Sequence, residues 1–140
     1  MLLPNTENPL VVRTDFENED TWKSICSAIR VPVMDGEDSL YAYVEFFEDA
    51  SLRGVSKAEL LERANAYMHA FLFVVDGQTT AHADLPILVV DLQRERGREF
   101  RAVPSQIQAI ENNLSLANMD FREFADNVDA DGIFRGFPAT

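Results

Sequence analysis

Apolar positions along the chain fall into short blocks with two distinct periods. Leu10 to Asp15 (LVVRTD) is a run of strand formers bounded by Pro9 and a polar stretch. Trp22, Ile25, Cys26 and Ile29 follow at i, i+3, i+4 and i+7, which places them on one face of a helix. Asn18 or Asp20 can cap that helix, and Pro32 ends it. Val31 to Ser39 reads as a loop with Asp35-Gly36 as its turn signal. Leu40 to Phe47 (LYAYVEFF) is rich in aromatic residues and predicts a second strand.

Ser56 and Glu59 have capping-box spacing, and the helix behind them carries Leu60, Leu61, Ala64, Tyr67 and Met68 on a broad apolar face. Ala70 to Val75 (AFLFVV) is continuously apolar, the mark of a strand buried on both faces, and Ile87 to Leu92 (ILVVDL) is another. Phe100 to Val103 is a shorter strand after the Arg-rich turn RERGR. Ser105 with Gln108, and Asp120 with Glu123, each have the spacing of a capping box. They predict helices carrying Ile107, Ile110 and Leu114, then Phe121, Phe124 and Val128. The tail DGIFRGF is expected to pin Phe134 and Phe137 on the core.

Alternating strands and helices in the first half imply right-handed parallel crossovers. Asp76 to Ile87 is a marginal length for a helical crossover and has room for one short turn. Gln93 to Arg98 is too short for any crossover, so the strand after it should be antiparallel. The expectation is a single α/β domain over residues 1–140. It holds a mixed, mostly parallel five-stranded sheet with helices on its faces and the last strand antiparallel.

Composition narrows the partners. With 12 Lys+Arg against 24 Asp+Glu, the net charge is −12, and no nucleic-acid or anionic-membrane partner is expected. Residues 1–50 hold 11 acids and 3 bases, so most of the excess lies in the first third. A basic protein is the partner such a surface favours. No apolar run is long enough to span a bilayer, and MLLPNTENPL lacks the basic-then-apolar order of a secretory signal. Cys26 is the only cysteine, which suits the reducing cytoplasm. No zinc-type Cys/His spacing, GxGxxG, Walker A or G-x-S-x-G is present.

Several groups could carry chemistry. Asp15, Asp76 and Asp91 each close or follow an apolar strand. On parallel strands all three would reach the carboxyl edge of the sheet, where Mg²⁺ could be held as in a receiver-type phospho-acceptor. A lysine at the end of a late strand is missing, since Lys23 and Lys57 both fall on helices, and Asp in a turn is ordinary chemistry. Asn127 to Gly132 (NVDADG) resembles the start of a calcium loop, but its twelfth position is Pro138 instead of Glu. Asn112, Asn113, Asn118 and Asp120 offer a hydrogen-bonding surface for a ligand or partner, or simply helix ends. Arg94, Arg96 and Arg98 could share a hairpin face as an anion site, or protect a sheet edge. Cys26 shares a face with Trp22 and Ile25 and reads as a core residue; His69 and His82 lack a nucleophile partner.

The segments LVVRTDF, AFLFVVD, ILVVDL, NNLSLANMDFREFAD and DGIFRGF together resemble an uncharacterised family of small, acidic bacterial proteins, a domain of unknown function. The resemblance covers nearly the whole chain. It implies a small intracellular single-domain protein and brings no catalytic residue with it. The leading expectation is a non-enzymatic interaction or accessory module, of immunity type, with an acidic face for a basic partner and no cofactor. The alternatives are a Mg²⁺-dependent phosphoryl-handling protein using Asp15, Asp76 and Asp91, and a small-ligand binder near Asn112–Asp120.

Overall fold

The structure, a computed structural model, describes residues 1–138. β1 (Leu10–Arg13) leads into α1 (Glu19–Arg30), where Asn18 Oδ1 accepts from the Thr21 amide at 3.0 Å. The following segment is more ordered than a loop. β2 (Val33–Asp35) and β3 (Asp38–Leu40) pair antiparallel around Gly36, whose φ of +63° is the left-handed conformation an Asp-Gly turn requires. This hairpin takes the first residue of the expected strand Leu40–Phe47. Only β4 (Glu45–Phe47) joins the main sheet.

A 3₁₀ turn at Ala50–Leu52 then leads to α2 (Lys57–Arg63), capped as expected by Ser56 Oγ, which accepts from the Glu59 amide at 3.2 Å. α2 ends earlier than its apolar pattern implies. Tyr67 leaves the helix, and its hydroxyl accepts from the Leu10 amide at 2.9 Å and donates to the Phe71 carbonyl at 3.3 Å. Met68 is consequently turned out and is 80% exposed.

β5 (Phe71–Val75), α3 (Gly77–Ala81), β6 (Ile87–Asp91) and β7 (Glu99–Ala102) come next. α4 (Ile107–Ser115) begins after a 3₁₀ turn at Pro104–Gln106. The expected Ser105 box does not form, because the Gln108 amide donates along the helix to Asn112 Oδ1 at 3.0 Å. α5 (Phe121–Ala125) opens on Asp120, whose amide donates to Glu123 Oε2 at 2.7 Å, and β8 (Ile133–Phe134) closes the fold.

The sheet order is β4-β1-β5-β6-β7-β8, six strands instead of five, and the added strand comes from the DGIFRGF tail. β4–β1, β1–β5 and β7–β8 are parallel, while β5–β6 and β6–β7 are antiparallel. β7, the last strand expected from sequence, is thus antiparallel to its predecessor. β6 is also reversed relative to β5, because the link between them holds only the single turn of α3.

Alternate residues of β5 and β6 feed two cores. Phe71, Phe73, Val75, Ile87 and Val89 pack under α1, α4 and α5 with Trp22, Ile25, Ile110 and Phe124. Leu72, Val74, Leu88 and Val90 pack on the other face with Leu3, Leu52, Leu60 and Tyr67. No described helix is long and apolar enough to cross a membrane.

β8 is short, yet Phe134 is fully buried and meets the rings of Phe100, Phe124 and Phe137 at 6.4, 5.3 and 5.0 Å. Phe134→Ala is expected to lower stability by about 3–5 kcal/mol, the range for a large aromatic removed from a core. Phe137→Ala, at a ring 47% exposed, should cost clearly less. Urea unfolding of both variants checks this, and equal losses would place β8 outside the core.

Candidate functional site

The carboxyl edge of β1 and β5 brings Asp15 and Asp76 to one side of the sheet. Both lie at a shallow cleft of about 290 Å³ with Thr14, Arg53 and Gly77. Asp76 is not free there. Arg101 of β7 binds it through both guanidinium nitrogens, at 2.9 and 2.8 Å, and Thr79 donates its amide at 3.1 Å and its hydroxyl at 3.0 Å. Burial alone would raise the Asp76 carboxyl, but the bonds and charge of Arg101, with those of Thr79, outweigh it and hold it below the usual value. Asp15 accepts from the Glu17 amide at 3.1 Å and from the Thr80 hydroxyl.

Asp91 is at the opposite edge. The reversal of β6 pairs Asp91 with Phe71, the first residue of β5, whereas Asp76 follows the last. Four residues of strand at about 3.4 Å each separate those positions, far beyond the span of ligands on one Mg²⁺. The three aspartates therefore do not converge, and the described residues contain no group of three His, Cys, Asp or Glu side chains placed to hold a metal. Asp91 caps its own turn, accepting from the Gln93 and Glu95 amides at 3.0 Å each.

The other polar groups are occupied locally. Asp129 and Asp131 of the NVDADG segment both bind Arg135, at 2.8 and 2.9 Å, and the Asn127 amide donates to the Glu123 carbonyl at 2.7 Å. Their oxygens therefore form no ring of calcium ligands. Arg96 donates to the Leu92 and Leu61 carbonyls, Arg98 pairs with Glu95 and Asp126, and Arg94 lies 3.8 Å from Asp120, so the three make no common anion site. His69 Nε2 is bonded to the Thr6 carbonyl at 2.7 Å, and the amide of Asp84 donates to His82 Nδ1 at 3.0 Å.

The amino edge of β1 and β5 is different. A cleft of about 610 Å³ opens there between the sheet and the end of α4. Glu7, Tyr43, Met68, His69, Glu111 and Leu116 are among its walls, and neither lysine nor arginine lines it. Glu111 is only 3% exposed. Its Oε1 accepts from the Tyr43 amide at 2.6 Å and from the Asn112 amide group at 2.8 Å. Asn112 also donates to the Tyr41 carbonyl at 3.0 Å, so the two side chains fasten the segment leaving the β2–β3 hairpin to α4.

Of the asparagine-rich surface, only Asn112 reaches this cleft. Asn113 turns back to the Ala109 carbonyl at 2.8 Å, Asn118 is exposed, and Asp120 starts α5 beside Arg94. Glu111 was not singled out by sequence. The signal is an acid at i+4 in the stripe Ile107, Ile110, Leu114, a place where a helix otherwise buries apolar groups. Arg13 and Arg101 are similarly placed within apolar strands. Arg13 is buried between the rings of Phe16 and Trp22 and donates to Glu19 and Glu48 at 2.7 Å each.

Residues 8–137 match the family described as Domain of unknown function (DUF6924). The chain belongs to this family. No curated protein matches it. The matched span takes in every strand of the main sheet, the hairpin and all of the cleft wall named above except Glu7.

Two consequences can be measured. The depressed Asp76 carboxyl contributes stability above its unfolded value of about 4, and that contribution is lost as pH falls through its lower folded value. Asp76→Asn is therefore expected to lose about 2 kcal/mol at neutral pH and to show a flatter acid dependence of its urea midpoint. An acid slope equal to that of the parent chain would contradict the assignment. Cys26 is buried, and burial pushes its thiol up to about 11. It should resist dithionitrobenzoate at neutral pH in the folded chain and react once urea unfolds it; rapid labelling of the folded form would contradict this.

Proposed function

We propose that the chain is a non-enzymatic interaction module that engages a basic partner, in an accessory or immunity-type role in the cytoplasm. The observation that carries this reading is the acidic β2–β3 hairpin. Asp35, Glu37 and Asp38 surround its turn, all are exposed, and none forms an ion pair among the described residues. Val31, Met34, Tyr41 and Tyr43 stand on or beside the same hairpin with 47–63% of their surface exposed.

Exposed apolar groups gathered beside uncompensated charge are the composition of a docking face. The charge accelerates encounter with a cationic surface and discriminates against anionic ones. The apolar side chains supply area to bury on contact. Fastening by Glu111 and Asn112 holds Tyr41 and Tyr43, just after the hairpin, in a fixed position, which lowers the entropy lost on binding.

The test is affinity capture from the native cell by the parent chain and by Asp35→Asn/Glu37→Gln/Asp38→Asn. The three side chains make no contacts the fold needs, so the variant should unfold at the same urea concentration. Capture of a specific basic protein is expected to drop at least about tenfold in the variant, and rising salt should weaken capture by the parent. Equal capture by both chains, or no specific partner, would overturn the reading.

A further inference from the structure

The cleft at the amino edge has a feature that a merely acidic surface lacks. Glu111 is 97% removed from solvent, and both hydrogen bonds to its carboxylate fall on Oε1. Oε2 has no partner among the described residues, and it is not a sealed-off atom, because no buried side-chain oxygen is left without a bond. Glu111 lines the cleft, and Oε2 is the oxygen that its own hydrogen bonds leave free. A carboxylate so placed is poorly hydrated, and a cation that meets it gains more than one meeting an exposed acid. Glu7 adds a second negative charge to the wall, and no lysine or arginine offsets either.

The rest of the wall fits the stem of a long cationic side chain. Met68 and Leu116 are 80% and 71% exposed at the mouth, and Tyr43 offers a ring that is 59% exposed. Methylene groups can lie along such surfaces while the charged end reaches inward, and an aromatic face also attracts a cation. A volume of about 610 Å³ holds a side chain of this size with room for water.

We infer that this cleft is a cation subsite that takes the ammonium or guanidinium end of a lysine or arginine side chain of the partner onto Glu111 Oε2. Tyr43, Met68 and Leu116 flank the stem. The subsite rests on the interaction-module reading, and it makes the cleft the anchor while the hairpin acids steer.

The experiment is a ¹H–¹⁵N NMR titration of the full chain with N-acetyl-arginine methylamide, beside its neutral isostere N-acetyl-citrulline methylamide. The Tyr43 amide is bonded to Glu111 and reports the site directly. A saturable shift of Tyr43, Met68 and Leu116 is expected with the arginine probe and not with citrulline. Glu111→Gln retains the Oε1 acceptor for Tyr43 and Asn112, and should weaken binding by about tenfold or more with the rest of the spectrum unchanged. Should that variant fail to fold, Met68→Ala and Leu116→Ala, both at exposed positions, must each weaken the probe. A flat titration, equal shifts from citrulline, or undiminished binding to Glu111→Gln overturns the subsite. Capture of a basic partner together with a flat titration removes the subsite and leaves the module reading. A charge-dependent titration with no captured partner removes the module reading and leaves a cation site.

Discussion

The pair between Asp76 and Arg101 closes the link on which the sheet's polarity turns. Asp76 caps α3 at the start of that link, and Pro86 lies at its end. Arg101 binds the Asp76 carboxylate with two nitrogens and also donates to the Pro86 carbonyl at 3.1 Å. One guanidinium in β7 thus holds both ends of the connection. With the link tied down and too short for a crossover, β6 returns antiparallel to β5. Everything at the end of β6 is thereby carried to the opposite edge.

The two edges consequently have opposite character. At the carboxyl edge the acids are satisfied by Arg101, Thr79, Thr80 and the Glu17 amide, and the geometry is rigid and self-contained. At the amino edge Asp91 is used up by its turn, whereas Glu111 lines a cleft and both hydrogen bonds to its carboxylate fall on one oxygen. The hairpin acids and the cleft lie on the same linked unit, since Glu111 and Asn112 hold Tyr43 and Tyr41. Charge in the first third of the chain and chemistry in the last third therefore meet through two hydrogen-bonded side chains.

Legibility in the sequence followed the range of the interaction. Periodicity located the strands of β5 and β6 and the buried face of α1, because burial on known faces is a local repeat. Caps at Asn18, Ser56 and Asp120 were readable for the same reason. The box at Ser105 was misleading, since Gln108 found a partner one helical turn on. α2 was overextended because the pull on Tyr67 comes from Leu10, fifty-seven positions away. The positions of the aspartates at strand ends were readable, but whether they meet depended on strand direction, which no single segment encodes.

The sequence by itself determined an α/β chain with apolar strands buried on both faces, helix starts at defined caps, and a net charge of −12. These follow from side-chain polarity, period and local hydrogen bonding, all set within a few residues. Only the tertiary structure decided that β6 runs backwards, that the tail supplies a sixth strand, and that Glu111, an acid in an apolar stripe, opens into a cleft. Each of those depends on which distant groups compete for the same donor or space. That competition is resolved by packing the whole chain at once and leaves no signature in any local run of residues.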